Sequence, residues 1–259
     1  MHTQDRLRAA LDNGEFFLEY QPIVMLEDRH CVGGEALVRW RREDGILQAS
    51  EFVAAIDNTP LSGVLTYWVI DTVAAELGEW LAAHDAARIT INVPPEILGR
   101  GGLAYAVNRS GLRAQLGQIV LVIVERGVPD RLGLEALNLM AEQGVCLALD
   151  DVTLTGANLA VLSRCKFEII KIERGLIEQL KDGAPQPEWL SGIEALHKIS
   201  TLRIIAEGVE SEHQAATLSA AGVTMAQGYL FSKPLSARDF MNFYGERTAK
   251  QSTPGSLSP

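Results

Sequence analysis

Acidic and amide residues, and one lysine, lie at the ends of short apolar runs along the chain. The run Cys-Leu-Ala-Leu leads directly to Asp150 and Asp151, and Lys171 stands between isoleucines. An ammonium in such an apolar setting needs a carboxylate partner. The full set is Glu35, Asn92, Glu125, Asp150, Asp151, Lys171, Glu207 and Gln227.

The charges of this set favour a site for divalent cations. Five carboxylates and one lysine give a formal charge of −4, which would raise several carboxyl pKa values if it were uncompensated. Two divalent cations would balance it, and carboxylate and amide oxygens are ligands that suit Mg²⁺ or Mn²⁺. Paired ions of this kind hydrolyse phosphodiesters. Each residue taken alone is more often a helix cap or a turn residue, so the prediction depends on the whole set.

Short β-rich runs alternate with helical periodicity, and the polar residues fall near the ends of the runs. Apolar residues three and four apart predict helices between them, most clearly over 61–81. Strands interleaved with helices predict a (β/α)8-type barrel, whose strand ends share one mouth. The predicted strands are Phe16–Val24, Cys31–Val38, Arg88–Val93, Ile119–Glu125, Val145–Asp150, Phe167–Ile172, Arg203–Ala206 and Thr224–Gly228.

One connection departs from a regular barrel. Only residues 25–30 separate the first two strands, too few for a helical crossover, so these strands are predicted to pair antiparallel. Ser211 is a predicted N-cap for a short helix. Polar residues follow Thr248 with little to bury. We therefore expect one barrel domain over residues 3–245 and a disordered tail over 246–259.

Composition excludes several classes of protein. Thirty-three acidic against 23 basic residues give a net charge of −10 over 259 residues, which argues against a DNA, RNA or anionic membrane partner. Three distant cysteines predict neither a disulfide framework nor a zinc site, and they favour a reducing compartment. We expect neither a signal peptide nor a membrane-spanning run. We expect a cytoplasmic protein, or the cytoplasmic portion of a larger one.

A series of motifs runs in order through nearly the whole chain. Tyr-Gln-Pro-Ile at 20–23 precedes Glu-Ala-Leu-Val-Arg-Trp at 35–40, and later motifs include Glu-Gly-Val-Glu at 207–210 and Gln-Gly-Tyr-Leu-Phe-Ser-Lys-Pro-Leu at 227–235. With Asn92, Glu125, Asp150-Asp151 and Lys171-Ile172 between them, they resemble the EAL-domain family over about residues 3 to 245. The resemblance implies a modified TIM (β/α)8 barrel with one antiparallel strand. It also implies a bacterial signalling enzyme that hydrolyses cyclic di-GMP to linear pGpG with two Mg²⁺ or Mn²⁺ ions.

The resemblance further implies a role for each matching residue. Lys171 would position or activate the attacking water, and Gln227 would support the water and the metals. Arg39 suits a phosphate because its planar fork can donate two parallel hydrogen bonds, although it could instead pair with a nearby acid. The implied metal ligands are Glu35, Asn92, Glu125, Asp150, Asp151 and Glu207. The implied catalytic residues are Glu35, Lys171, Glu207 and Gln227, and the implied substrate contacts are Gln21, Leu37 and Arg39.

The segment after the two aspartates departs from the family pattern. The family usually continues Phe-Gly-Thr-Gly-Tyr-Ser-Ser-Leu, whereas this chain reads Val-Thr-Leu-Thr-Gly-Ala-Asn-Leu, with Thr153 at the first glycine. The glutamate that normally anchors this loop is replaced by Val128. Supporting residues can change metal affinity or activity about 10- to 100-fold. We therefore expect weak activity and a weakened homodimer. The alternative is a cyclic di-GMP receptor, or a protein-interaction module, without strong catalysis.

Overall fold

The computed structural model describes residues 3–124, 130–150 and 164–248, and elements are numbered over that part of the chain. The strands are β1 (Phe16–Met25), β2 (Cys31–Arg42), β3 (Gly45–Gln48), β4 (Arg88–Val93), β5 (Ile119–Ile123), β6 (Cys146–Leu149), β7 (Ile169–Ile172), β8 (Arg203–Ala206) and β9 (Met225–Ala226). The helices are α1 (Thr3–Asp12), α2 (Ala49–Phe52), α3 (Pro60–Ala83), α4 (Gly102–Ser110), α5 (Arg131–Glu142), α6 (Arg174–Ile177), α7 (Glu188–Ile199), α8 (Glu212–Ala220) and α9 (Ala237–Thr248).

The sheet closes on itself as a barrel. Within the described residues its order is β1-β9-β8-β7-β6-β5-β4-β2, and β1 pairs with β2 to complete the circle. From β2 through β4 to β9 the neighbouring barrel strands are parallel, whereas β1 runs antiparallel to both β2 and β9. The predicted modified TIM barrel with one antiparallel strand is confirmed. Strand β3 lies outside the circle and pairs only with β2 among the described strands.

Strands β1 and β2 form a ribbon that rises from the barrel mouth. β2 pairs with β4 only as far as Glu35, and then continues beside β1 and β3 to Arg42. Gly33 permits the close approach to β4, because a Cβ there would lie 1.9 Å from the carbonyl oxygen of Arg88. The register places Gln21 opposite Glu35. Residues two positions further along each strand point to the same face of the ribbon.

Several strand ends differ from those predicted. β2 continues four residues beyond Val38 because β1 and β3 extend its hydrogen-bonded ladder. β7 begins two residues after Phe167, where its pairing with β6 and β8 starts. β9 is limited to Met225–Ala226, the only two of its residues that pair with β1 and β8. β3 was not predicted, since its short exposed run lacks clear alternation.

Apolar packing fills the barrel below its mouth. This interior cluster comprises Ile23, Val120, Val122, Cys146, Ala148, Ile169, Ile205 and Met225. A larger cluster lies between the strands and the surrounding helices. A separate cluster holds the ribbon against α1 and α3, where the rings of Phe16, Trp40 and Phe52 lie 5.5–5.7 Å apart. The barrel interior is therefore a packed core, which leaves polar chemistry to its mouth.

The final helix closes against the ribbon. Phe240 and Tyr244 of α9 are buried, and the ring of Phe240 stacks on Tyr20 of β1 at 5.6 Å. Because α9 continues to Thr248, residues 246–248 of the expected tail belong to this helix. Residues 249–259 of the expected tail lie outside the described part of the chain.

Two smaller observations concern the helices. Ser211 is the N-cap of α8, as predicted: its hydroxyl accepts from the Gln214 backbone, and the Gln214 side chain accepts from the Ser211 backbone. Over the residues that the structure describes, no helix is both long enough and apolar enough to cross a bilayer.

Candidate active site

Polar side chains from six strands meet at one end of the barrel. Asn92 and Lys171 are the second-last residues of β4 and β7, and Glu35 marks the last β2 position paired with β4. The residues that directly follow β6, β8 and β9 complete the set, and they are Asp150, Glu207 and Gln227. The carboxyl ends of parallel barrel strands lie at one mouth, so all six side chains come together there although they are far apart in the sequence.

Lys171 is the centre of the arrangement. Its Nζ lies 3.1 Å from Glu35 Oε1 and 3.5 Å from Asp150 Oδ1, and it also contacts Glu207 Oε1. The lysine side chain is 1% exposed. One buried ammonium therefore joins three carboxylates that the sequence places on β2 and after β6 and β8.

Two amides fix the carboxylate of Glu35. Asn92 Nδ2 donates to Glu35 Oε1 at 2.8 Å, and Gln227 Nε2 donates to Glu35 Oε2 at 2.6 Å. Gln227 Nε2 also lies 3.5 Å from Glu207 Oε1. Gly228 makes this position of Gln227 attainable, because a Cβ at residue 228 would lie 2.1 Å from the carbonyl oxygen of Val209.

Burial and charge act in opposite directions on the ionisable groups. Burial would raise the pKa of Glu35, but the charge of Lys171 and hydrogen bonds from Gln227, Asn92 and Lys171 lower it below its usual range. Burial and the neighbouring carboxylates raise the pKa of Glu207 to about 8, against the opposing effect of Lys171. Burial would lower the pKa of Lys171, but Asp150, Glu207 and Glu35 raise it well above its usual value. The three carboxylates therefore favour the charged form of Lys171.

The oxygen atoms of the cluster fit a divalent cation. Buried Asn92 Oδ1 and Gln227 Oε1 have no hydrogen-bond partner among the described residues, and Asp150 Oδ1 has only its 3.5 Å ion pair with Lys171. Unpaired buried acceptors are costly, and a hard cation would satisfy oxygens of this type. The three carboxylates also exceed the single charge of Lys171. Within the described residues, no group of three or more His, Cys, Asp or Glu side chains is arranged to hold a metal ion by itself. The predicted ligands Glu125 and Asp151 lie outside those residues.

The predicted substrate contacts share the mouth-facing side of the ribbon. Gln21 is buried, and its Nε2 donates to the carbonyl oxygen of Ser232 at 2.8 Å. Leu37 lies two residues beyond Glu35 and lines a cavity of about 260 Å³. Arg39 pairs with Glu19, whose Oε2 accepts from Arg39 Nε at 2.7 Å. The sequence alone left open whether Arg39 pairs with an acid, and in the structure it pairs with Glu19.

The cavity beside the carboxylate cluster around Lys171 contains groups that the sequence did not reveal. Asn92 and Asp150 line it on the barrel side, and Ser62 and Thr66 of α3 line it on the opposite side. Glu96 supports this wall from outside: its Oε1 accepts from Ser62 Oγ at 2.9 Å and from the Asn58 backbone at 2.9 Å. Only the folded packing of α3 on β2 and β4 brings these residues to the site. Glu19 had a signal, since it lies two residues before Gln21 on the same strand face.

Comparison with known proteins identifies the family. The EAL-domain family model matches residues 4–234. The chain belongs to the EAL family. Among curated relatives of this EAL chain, the probable cyclic di-GMP phosphodiesterase PdeB of Escherichia coli (strain K12) is 31% identical over 242 residues. The match covers 92% of this chain and 46% of PdeB, so this EAL chain spans less than half of that relative.

Solved EAL structures share the barrel. The PaMucR phosphodiesterase in its c-di-GMP complex is 28% identical, with a TM-score of 0.82 over 92% of this chain and 99% of that chain. The EAL enzyme Bd1971, in its cAMP- and cyclic-di-GMP-bound form, is 25% identical, with a TM-score of 0.83 over 93% of this chain and 68% of that chain. EAL phosphodiesterases are in general dependent on divalent metals.

Proposed function

We propose that this EAL chain is a phosphodiesterase that hydrolyses cyclic di-GMP to linear pGpG with two Mg²⁺ or Mn²⁺ ions. The convergence of Glu35, Asp150 and Glu207 on Lys171 at the barrel mouth carries the proposal. Folding alone does not require three carboxylates around a buried lysine, because apolar residues of similar size would pack as well. A phosphodiester substrate and its cations supply a reason for that arrangement.

The substrate would lie across the mouth and the adjoining cavity. The cavity of about 260 Å³ is lined by apolar side chains, Leu37 among them, together with polar atoms of Ser62 and Thr66. Such a mixture suits a planar base with hydrogen-bonding edges. Arg39 on the ribbon would bind a phosphate, and Gln21 would contact the same ligand. One half of the dinucleotide would then occupy the cavity while a phosphodiester faces the carboxylates.

The reaction is a displacement at phosphorus by water. The water oxygen forms a new bond to phosphorus, the bond between phosphorus and the 3′ oxygen breaks, and the proton that the water loses passes through solvent to the leaving oxygen. Lys171, whose Nζ lies among Glu35, Asp150 and Glu207, would donate hydrogen bonds that position the water. Gln227, held between Glu35 and Glu207, would keep those carboxylates in place.

Glu35, Asn92, Asp150 and Glu207 would hold the cations, together with Glu125 and Asp151. The bound ions would supply an activated water and would neutralise charge on the phosphoryl oxygens. The residues of the chain provide the dry, fixed frame for that chemistry. Asn92 matters in this frame, since its amide nitrogen binds Glu35 and its unpaired oxygen remains for a cation.

A receptor for cyclic di-GMP is the second candidate function. The observation that favours it is the sequence of the loop after Asp151, where Thr153 replaces the glycine of the family pattern and Val128 replaces its anchoring glutamate. A receptor would bind the dinucleotide through Gln21, Leu37 and Arg39 without turnover. The intact ligand set makes the enzyme the preferred proposal.

The deciding experiment is incubation of the chain with cyclic di-GMP and Mg²⁺ or Mn²⁺, with products followed by chromatography. We expect pGpG to accumulate, and Glu35→Ala to abolish it. The matched control is Glu168→Gln, an exposed carboxylate at the opposite end of the barrel that pairs with Arg203. Binding of cyclic di-GMP with no pGpG over hours would replace the enzyme by the receptor. No binding at all would contradict both.

We also propose where and in what assembly the chain acts. A second-messenger phosphodiesterase of this composition would work in the cytoplasm, alone or as the cytoplasmic portion of a larger protein. The altered loop would leave it a monomer or a weak homodimer. Sedimentation velocity at sub-micromolar concentration tests this proposal, and a concentration-independent dimer would contradict it.

A further inference from the structure

Arg39 is held by an acid that the motifs of the chain do not include. Its Nε donates to Glu19 Oε2 at 2.7 Å, and its Nη1 donates to the carbonyl oxygen of Val38 at 3.1 Å. The arginine side chain is 9% exposed and that of Glu19 is 31% exposed. The pair is therefore partly sheltered, unlike an ordinary surface ion pair.

The strand register explains why these two residues meet. Glu19 lies opposite Leu37, and Phe17 lies opposite Arg39, so Glu19 and Arg39 are diagonal neighbours on one face of the ribbon. Diagonal neighbours of this kind are within reach of long side chains. Gln21 and Glu35 lie on that same face, one pair closer to the barrel. Glu19 thus stands beside the proposed substrate contacts.

The hydrogen bonds determine which edge of the guanidinium is left for a ligand. Arginine has five N–H donors arranged as a rigid fork. Glu19 occupies the Nε donor, and the Val38 carbonyl occupies one donor of Nη1. Within the described part of the chain, the Nη2 amine has no hydrogen-bond partner. The terminal edge, formed by Nη1 and Nη2, is the edge that remains for two parallel bonds to a phosphate.

We propose that Glu19 is a positioning residue that holds the terminal edge of Arg39 toward the substrate phosphate. This role rests on the proposed cyclic di-GMP site. Glu19 acts through Arg39 and does not touch the substrate. By fixing the arginine before the ligand arrives, it removes an ordering cost from binding. Fixing one long side chain in advance strengthens binding about 3- to 10-fold.

Four variants separate positioning from simple loss of structure. Glu19→Thr suits a strand but is too short to reach Arg39, whereas Glu19→Gln keeps an oxygen acceptor at the same place. Arg39→Ala and the double variant Glu19→Thr/Arg39→Ala complete a cycle. The matched control is Glu212→Ala, which removes a 2.7 Å bond to Arg29 on the exposed surface. Thermal unfolding of each variant verifies that it is folded.

Calorimetric titration of cyclic di-GMP in Ca²⁺ should measure the dissociation constant without turnover, because the longer and more flexible coordination of Ca²⁺ would place the attacking water poorly. We expect Glu19→Thr to raise it about 3- to 10-fold and Glu19→Gln to leave it within about twofold. Glu212→Ala should leave it unchanged. In the Arg39→Ala background, Glu19→Thr should have no further effect, because its role passes through the arginine. In Mn²⁺ assays the KM should rise with kcat nearly constant, as expected when ground state and transition state lose the same contact.

Results that contradict the role of Glu19 can be distinguished from results that contradict the proposed function. Unchanged or tighter binding by Glu19→Thr would overturn the positioning role alone, and so would an equal loss in the Arg39→Ala background. Equal weakening by Glu19→Gln and Glu19→Thr would assign the effect to charge instead of orientation, and would also overturn it. If the unmodified chain binds no cyclic di-GMP, the proposed function fails and the role of Glu19 fails with it.

Discussion

The Nζ atom of Lys171 lies 3.1 Å from Glu35 Oε1, within a barrel mouth where one buried cation serves three carboxylates. The same oxygen of Glu35 accepts a hydrogen bond from Asn92. This bond network joins β2, β4 and β7 across the mouth, so Lys171 stabilises the barrel as well as the proposed chemistry. The two roles respond differently to mutation and to metal.

Lys171→Met should abolish pGpG formation while cyclic di-GMP still binds, because the ammonium acts on the water and not on the bases. Without divalent cations the variant should lose about 3 kcal/mol of unfolding free energy, since buried carboxylates remain without their partner. Added Mn²⁺ should restore part of that loss. Product chromatography, calorimetric titration and urea unfolding measure the three effects. Exposed Lys198→Met is the control, and retained turnover in Lys171→Met would contradict the proposed role.

Glu96→Ala should weaken substrate binding through the cavity wall. The variant removes the acceptor for Ser62 and for the backbone of Asn58, so the α3 end of the cavity loses its tether. We expect KM to rise severalfold, kcat to change little, and the unfolding free energy to fall by about 1–2 kcal/mol. Glu188→Ala, at an exposed helix start elsewhere, is the control. An unchanged KM would show that the wall keeps its place without Glu96.

Much of this site was predictable because barrel chemistry follows strand ends. A short apolar run comes directly before each of Asp150, Glu207 and Gln227, so their positions at strand ends can be predicted from the sequence. Glu19 was missed although it lies two residues before Gln21 on the same strand face, because its contact with Arg39 depends on a diagonal pairing across 20 positions. Glu96 was missed because its role depends on the packing of a helix against the barrel. Such contacts are set by register and tertiary packing, which leave little local signal.

The same distinction applies to the fold. The short connection after β1 was enough to predict the antiparallel pair, because six residues cannot hold a helical crossover. β3 was missed, since a four-residue exposed strand is defined by its partner β2 and not by its own pattern. The continuation of β2 to Arg42 was missed for the same reason.

Stability should depend on Glu15 in acid. Hydrogen bonds from Arg6 and Trp40 lower the pKa of Glu15 to about 2. A carboxyl whose pKa is depressed by folding stabilises the protein fully above its unfolded pKa, near 4.5, and loses that contribution as pH falls toward 2. Urea unfolding should therefore show Glu15→Gln less stable than wild type at pH 6, with the difference shrinking between about pH 4.5 and 2.

Arg6→Gln provides a second measurement of the same effect. It removes the Arg6 guanidinium, the strongest of the hydrogen-bond donors to Glu15, so the acid-dependent difference between Glu15→Gln and its parent should be smaller in this background. A difference that stays constant from pH 6 to 2 would contradict the assignment to Glu15.

Truncation should separate the last helix from the tail. Ending the chain after Thr248 should leave the melting temperature nearly unchanged, because the removed residues are polar and offer little surface to bury. Ending it after Ser236 removes buried Phe240 and Tyr244, and losing two large aromatic side chains costs several kcal/mol. We expect the melting temperature of that shorter chain to be far below that of the full chain, or the shorter chain to be insoluble. A large drop on removing residues 249–259 would show that they pack.

The choice of metal should reveal the effect of the altered loop. Mg²⁺ requires near-ideal octahedral geometry, which an Asp151 next to a changed loop would supply poorly. Mn²⁺ takes the same oxygen ligands and should tolerate that defect better, so turnover should be faster with Mn²⁺ than with Mg²⁺.

Restoring the family residues through Val128→Glu and Thr153→Gly should raise the Mg²⁺ rate about tenfold, the range typical of residues that support metal ligands. Thr201→Gly, at an exposed position between α7 and β8, controls for added glycine. Product chromatography at matched cyclic di-GMP concentration gives both rates. If the double variant gains nothing with Mg²⁺ while wild type already turns over equally with both ions, the loop does not limit the metal site, and the weak-activity prediction is wrong.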